Sequence, residues 1–358
     1  ISPGLGESSP REFVVAGQVA FFVAEDPTHG AELWKTDGTP AGTALVKDIR
    51  SGPLGSSPTS LTALGSTVLF RADDGSGANG AELWKSDGTS AGTTMVKDIN
   101  VGAASGSPDR LVVVGTRVLF EAVDAGNGKE LWQSDGTLTG TSMLKDIRPG
   151  SQSSDPGPIT VGDGDGFFTA NDGVNGVSVW KSDGTEAGTK LVKDIPATSL
   201  TAVGDVVYFA ADDGVNGVEL WLSDGNTSGT QMVKDINTTG SSGPSMLTAV
   251  GDQVFFRADD GTGKGAELWR SDGTSVGTGM VKDINPEANS SYLSELTAVG
   301  VDLFFQADDG DSGSELWRSD GTELGTMRVR DINPGSPSSN PIQLTAVGSQ
   351  LYFSADNG

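Results

Sequence analysis

Residues 61–99 read LTALGSTVLFRADDGSGANGAELWKSDGTSAGTTMVKDI, and close variants of these words return along the whole chain. Four short runs rich in β-branched and aromatic residues stand between turns made of Gly, Asp and Asn. That is the pattern of four antiparallel strands joined by tight hairpins. The first run opens at Leu61 and closes at Gly65. The second carries Phe70 and stops at Asp73-Asp74-Gly75. A Gly/Asn-rich connector leads into the third, around Trp84, which closes at Asp87-Gly88, and the fourth ends near Ile99.

The tryptophans set the frame. All seven occupy the same word, at Trp34, Trp84, Trp132, Trp180, Trp221, Trp269 and Trp317, with separations of 50, 48, 48, 41, 48 and 48 residues. Four strands in such a unit is the size of one propeller blade, whereas a linear β-solenoid repeats nearer ~20 residues without internal hairpins. The variable Pro/Gly/Ser segments after each fourth strand read as linkers to the next blade. The one short spacing falls in such a linker, at 194–201, and leaves the strands intact.

The predicted fold is therefore all-β: a single β-propeller of four-stranded antiparallel blades over residues 1–358. Its repeats lie at about 11–50, 59–99, 109–147, 158–195, 199–236, 245–284 and 294–332, with a half repeat at 342–358. Eight blade positions, the last incomplete, are preferred over the alternative of seven. LTAVGSQLYFSADNG adds an eighth first hairpin, and seven blades would leave Leu351, Tyr352 and Phe353 in water, where a short hairpin cannot stand alone. The linker-like opening, Ile1 to Pro10, and the ending inside a repeat point to a longer parent protein.

Composition narrows the classes of function. The formal charge of −25, spread along the chain, argues against nucleic acid and anionic membranes as partners. With no cysteine there is neither a disulfide nor a thiolate metal site, and no apolar run is long enough to span a bilayer. The 52 glycines and 16 prolines lack a three-residue period, so they punctuate short strands.

The words AELWKTDGTPAGT (31–43), AELWKSDGTSAGT (81–93), KELWQSDGTLTGT (129–141) and SELWRSDGTELGT (314–326) resemble the bacterial ELWxxDGT repeat family. The resemblance covers essentially the whole chain, with departures at VSVWKSDGT (177–185) and at Asn226, which stands for the usual Thr. It implies a secreted or surface-exposed bacterial protein and carries no catalytic residues to transfer.

Three groups of residues are candidates for chemistry. The tryptophans suggest sugar stacking, but their mid-strand position favours packing between blades. The Asp pairs after the second strand, with the Glu heading the third, form a candidate calcium set: Asp73, Asp74 and Glu82; Asp212, Asp213 and Glu219; Asp259, Asp260 and Glu267; Asp308, Asp309 and Glu315. Carboxylates converging across a Gly/Asn-rich loop suit a hard cation, although Asp before Gly also caps turns. No cofactor is required on this reading; Ca²⁺ is the one ion it admits. The third group, Asp87-Gly-Thr through Thr93 with Lys97-Asp98, reads as a hydrogen-bond network tying each blade together. The single histidine, His29, sits in a turn, and no catalytic constellation is recognisable.

The expectation from sequence is a non-catalytic extracellular binding or scaffold module, touching another protein or a surface polysaccharide, within a larger assembly or longer chain. Two alternatives stand beside it. A multivalent lectin predicts equivalent pockets between blades, each with an exposed aromatic. A polysaccharide- or lactone-acting propeller enzyme predicts one asymmetric pocket lined by carboxylates or metal.

Overall fold

The computed structural model describes residue 1, residues 7–286 and residues 289–358. Most of the linker-like opening stretch lies outside the described residues. The architecture is the expected all-β propeller: seven four-stranded antiparallel sheets and an eighth of two strands, each sheet built from strands consecutive in the chain. Eight blade positions with an incomplete last blade are thus observed. The chain divides into two compact units, residues 1–176 with 180–190 and residues 177–179 with 191–358.

Blade 2 shows how a repeat folds. Its strands are Thr59–Leu64, Thr67–Asp73, Ala81–Ser86 and Thr94–Lys97. The first hairpin turns through Gly65, whose φ of 63° is open to glycine at no steric cost. The second and third strands pair in register, placing Phe70 opposite Trp84. The fourth strand is shorter than its sequence suggests because Ala91–Thr93 belongs to the preceding turn.

That turn is the network anticipated from the Asp-Gly-Thr…Gly-Thr words. The Thr89 N–H and hydroxyl both donate to Asp87 Oδ1, at 2.8 and 2.7 Å. Gly92 N donates to Thr89 Oγ1 at 2.9 Å, and the Thr93 hydroxyl donates to the Thr89 carbonyl at 2.7 Å. The Asp87 carboxylate lies where a Cβ of residue 92 would be, so only glycine closes the turn. Asp135 and Thr137, Asp183 and Thr185, Asp272 and Thr274, and Asp320 and Thr322 repeat the arrangement.

The core lies between successive blades rather than within one. Leu33, Val46 and Ile49 of blade 1 meet Val68, Phe70, Ala72 and Trp84 of blade 2 in one buried cluster. The same positions recur as Leu83, Val96, Ile99, Phe120 and Trp132, as Leu220, Val233, Ile236, Phe256 and Trp269, and as Leu268, Val281, Ile284, Phe305 and Trp317. Each blade covers one apolar face with its neighbour, the arrangement a repeat needs when it cannot bury both faces alone. In the last blade Tyr352 and Phe353 remain 56% and 39% exposed.

Candidate functional site

The tryptophans pack, as their mid-strand positions suggest. All seven are between 5% and 8% exposed, so none presents a ring face for stacking a sugar. The lysine of the preceding fourth strand lies over several of these rings, Lys97 at 5.8 Å from Trp132 and Lys193 at 5.3 Å from Trp221. Each such ammonium also donates across to the next blade, Lys97 to the Thr141 carbonyl at 2.9 Å and Lys193 to that of Thr230 at 3.0 Å. These lysines join blades rather than pairing with the aspartates beside them.

The glutamates of the candidate calcium set have another task. Glu82, Glu219, Glu267 and Glu315 are fully buried, as are Glu32 and Glu130. Glu130 receives the Ile147 N–H at 2.9 Å, the Ser154 N–H at 2.9 Å and the Ser154 hydroxyl at 2.7 Å. Glu315 takes the same three donors from Ile332 and Ser339, and Glu219 from Ile236 and Ser242. The side chain thus clamps the linker that leaves its own blade: it is the acceptor for the isoleucine N–H, and it shares the serine N–H with a carbonyl of the third strand.

Two clamps are weaker. Gly106 stands where other blades have serine, so Glu82 receives backbone donors from Ile99 and Gly106 but no hydroxyl from that position. Glu267 keeps the Ile284 N–H at 2.9 Å, while its Oε1 has no partner. Burial pushes both carboxyls up from 4.5 to about 7, with Asp98 and Asp283 adding to the rise. Between those two pH values the folded chain holds more protons on these groups than the unfolded chain. Their contribution to stability is therefore complete below about pH 4.5 and lost as pH rises through about 7. In Glu82→Gln the loss of stability from about pH 5 to pH 8 is expected to shrink by roughly 2–3 kcal/mol in urea unfolding. An unchanged loss would refute this origin.

The aspartates mainly cap their own loops, although Asp73 also pairs with Arg50 and Asp309 with Arg328, each at 3.7 Å. Asp73 and Asp74 accept from Gly75 and Ser76; Asp212 from Gly214; Asp213 from Val215 and Asn216. Asp259 and Asp260 cap Gly261 and Thr262, and Asp308 and Asp309 cap Gly310 and Asp311. No group of three or more His, Asp or Glu side chains fit to hold a metal gathers among the described residues. His29 pairs with Asp26 at 2.7 Å on its hairpin turn.

Blade 4 breaks the pattern, and the break is coherent. Ser178 replaces the clamping Glu, and Ile195-Pro196 runs directly into the next first strand at Ala197, so the linker to be clamped is missing. A buried carboxylate without those donors would be costly, which explains why the two losses occur together. Without a linker over it, the space between the end of blade 4 and the Asp-Asp-Gly loop of blade 5 opens into a cleft of about 580 Å³. Lys193, Asp194, Pro196, Asp212, Asp213 and the edge of Trp221 border it. The N–H groups of Asn216 and Val215 hold the Asp213 carboxyl below its usual range, so it stays ionised. The Ser178 hydroxyl reaches Asp194 at 3.4 Å. Equivalent positions after blades 1 and 6 form smaller clefts, about 400 and 280 Å³.

A second row of residues gave no signal in the sequence. Near the start of the first strands, Glu12, Ser60, Arg110, Ser199, Met246, Glu295 and Gln343 adopt φ between 54° and 59°. This conformation is uncommon for residues with a Cβ, and most of these positions mark a bulge in strand pairing. Several reach the next blade: Leu61 N donates to Glu12, and Leu344 N to Glu295, each at 3.2 Å.

No protein-family model and no curated protein matches the sequence. Among solved structures the chain is similar to a puromycin hydrolase (14% identity, 95% of this chain and 56% of that one, TM-score 0.46). A prolyl endopeptidase aligns at 12% identity over 89% of this chain and 47% of that one, TM-score 0.48. The β-propeller domain of the Trilobed protease from Pyrococcus furiosus aligns at 11% identity over 92% and 99%, TM-score 0.45. The chain spans about half the length of the first two. Likenesses of this degree show the fold alone. The expectation of a non-catalytic binding or scaffold module is corrected to this extent: the solved structures that share the fold are a hydrolase, an endopeptidase and a protease domain.

Proposed function

We propose that the chain is a polysaccharide-acting propeller enzyme whose working site is the cleft between blades 4 and 5. The observation that carries this reading is the asymmetry of that cleft: the missing linker and lost glutamate of blade 4 leave Asp194 open beside Asp212 and Asp213 of blade 5. A pair of carboxylates is the equipment of glycoside cleavage: one takes a proton from the attacking water while the other, protonated, gives one to the departing oxygen. Asp194 and Asp212 are the two carboxylates that border the cleft from facing blades, and ionised Asp213 accepts sugar hydroxyls. The smaller clefts after blades 1 and 6 offer further polar binding places for the same polymer. The ELWxxDGT resemblance supports placing the protein at the exterior of a bacterial cell.

The test is release of reducing ends from a panel of bacterial and plant polysaccharides, with a peptide panel run in parallel. Loss of at least ~100-fold in rate is expected for Asp194→Asn and for Asp212→Asn, the scale of general acid–base catalysis. No release from any polymer by the unmodified chain overturns the reading, as does full activity in both variants. Peptide cleavage indifferent to both substitutions would overturn it too.

A further inference from the structure

The cleft of about 400 Å³ between blades 1 and 2 differs in charge from its counterparts. Arg50, just past the fourth strand of blade 1, and Arg71, in the second strand of blade 2, both border it, together with Ser57, Thr59 and Asp73. The equivalent positions at other junctions carry Asn100 with Glu121, Arg148 with Thr169, Asn237 with Arg257 and Asn285 with Gln306, so no other pair is two arginines. Arg71 is partly buried, and among the described residues no protein group hydrogen-bonds or ion-pairs with it. Asp109 lies near enough to feel its charge, yet the Asp109 carboxylate accepts from the Ser60 hydroxyl and the Arg110 N–H instead. Blade 3 shows how the fold answers a charge at this position. Glu121, which stands there in place of Arg71, is paired with Arg110 at 3.4 Å and with Lys129 at 3.6 Å. Blade 2 has Ser60 and Ala81 at those two places, so no carboxylate is brought to Arg71. The hydroxyls of Ser57 and Thr59 are likewise without a protein partner among the described residues.

We propose that this cleft binds a uronic acid residue within a largely neutral polysaccharide. The identity of the ligand rests on the polysaccharide reading above; the chemistry of the cleft does not. The two guanidinium groups take the sugar carboxylate, for which their planar donors are suited. The Ser57 and Thr59 hydroxyls add donors to it, and Asp73 accepts ring hydroxyls. Two arginines and one aspartate leave the cleft a single net positive charge, which matches one carboxylate and not a phosphate dianion. The formal charge of −25 on the whole chain repels a continuous polyanion. An isolated acidic sugar is held against that field, because physiological salt screens it over about 8 Å and leaves the arginines in contact as the dominant charges.

The probe is cellobiouronic acid, a glucuronic acid joined to glucose, titrated calorimetrically into the 358-residue chain beside cellobiose, its neutral counterpart. Saturable binding of the acid is expected, with cellobiose weaker by roughly tenfold or more, the scale of losing a charge-assisted hydrogen bond. Arg71→Gln should weaken binding of the acid as much and leave that of cellobiose unchanged. Arg50→Gln serves as a second variant, and circular dichroism checks that both fold. Binding is read without turnover, so it is independent of cleavage. A chain that binds the acid in this way but releases no reducing ends from any polymer refutes the enzyme and leaves this site standing. A chain that cleaves polymers but binds the acid and the neutral disaccharide equally, or whose preference survives both arginine substitutions, refutes this site alone. No binding of the acid at ~10 mM overturns it as well.

Discussion

Trp132→Ala is expected to destabilise the protein by roughly 3–5 kcal/mol, the range for deleting a buried aromatic from a close-packed site. Trp132 is 5% exposed and packs with Leu83, Val96, Ile99 and Phe120, so its loss opens a cavity shared by two blades. The Lys97 ammonium, now over the ring and bonded to the Thr141 carbonyl, would lose its aromatic partner. Repeat arrays are stabilised by nearest-neighbour interfaces, so the damage should be local at first. Guanidinium unfolding is expected to broaden or split, with hydrogen exchange accelerated in blades 2 and 3 before the others. A variant that unfolds at the wild-type midpoint would show that the tryptophans do not cement the blades. Trp132→Phe should recover more than half of the loss.

Glu130→Ala should cost somewhat less, about 2–3 kcal/mol, by a different route. The buried Ile147 N–H loses its acceptor, and the Ser154 N–H and hydroxyl keep only their longer contacts to the Lys129 carbonyl, at 3.1 and 3.4 Å. Each unsatisfied buried group costs about 1–3 kcal/mol, less whatever water restores. The distinguishing readout is limited proteolysis: the linker at 148–157 should become the first site of cleavage, while the strands of blade 3 stay protected. Cleavage elsewhere, or none, would mean that the carboxylate does not hold the linker. Glu130→Gln should be milder, since its carbonyl oxygen still accepts and its amide can donate to the serine oxygen.

The frame of the fold was legible because a blade announces itself through local chemistry. Trp spacing, Asp-Gly turns and the alternation around Phe70 all concern neighbours within a few residues. The extra hairpin at Leu351–Phe353 placed the count at eight by the same logic. What escaped was non-local or against preference. The glutamates looked like metal ligands beside the Asp pairs, because their donors lie 17 and 24 residues downstream in a segment of variable sequence. The left-handed positions at Glu12, Arg110 and Met246 carry no glycine to betray them. The shortened linker before Ala197 was visible as a deletion. Its consequence, an open acidic cleft, required knowing what that linker covers in other blades and what holds it there.

The partnership between clamp and linker also constrains how such a chain can change over generations. Removing the linker first would strand a charged group in a dry layer, and most such lineages would unfold. Replacing the glutamate first also costs stability, but it leaves no buried charge, and a later deletion can trim the loosened loop. Ser178 therefore marks the easier first step, and a gene of this kind should tolerate drift at the glutamate codon before it tolerates loss of the segment downstream. New clefts on this scaffold would then arise through an ordered pair of mutations, one repeat at a time.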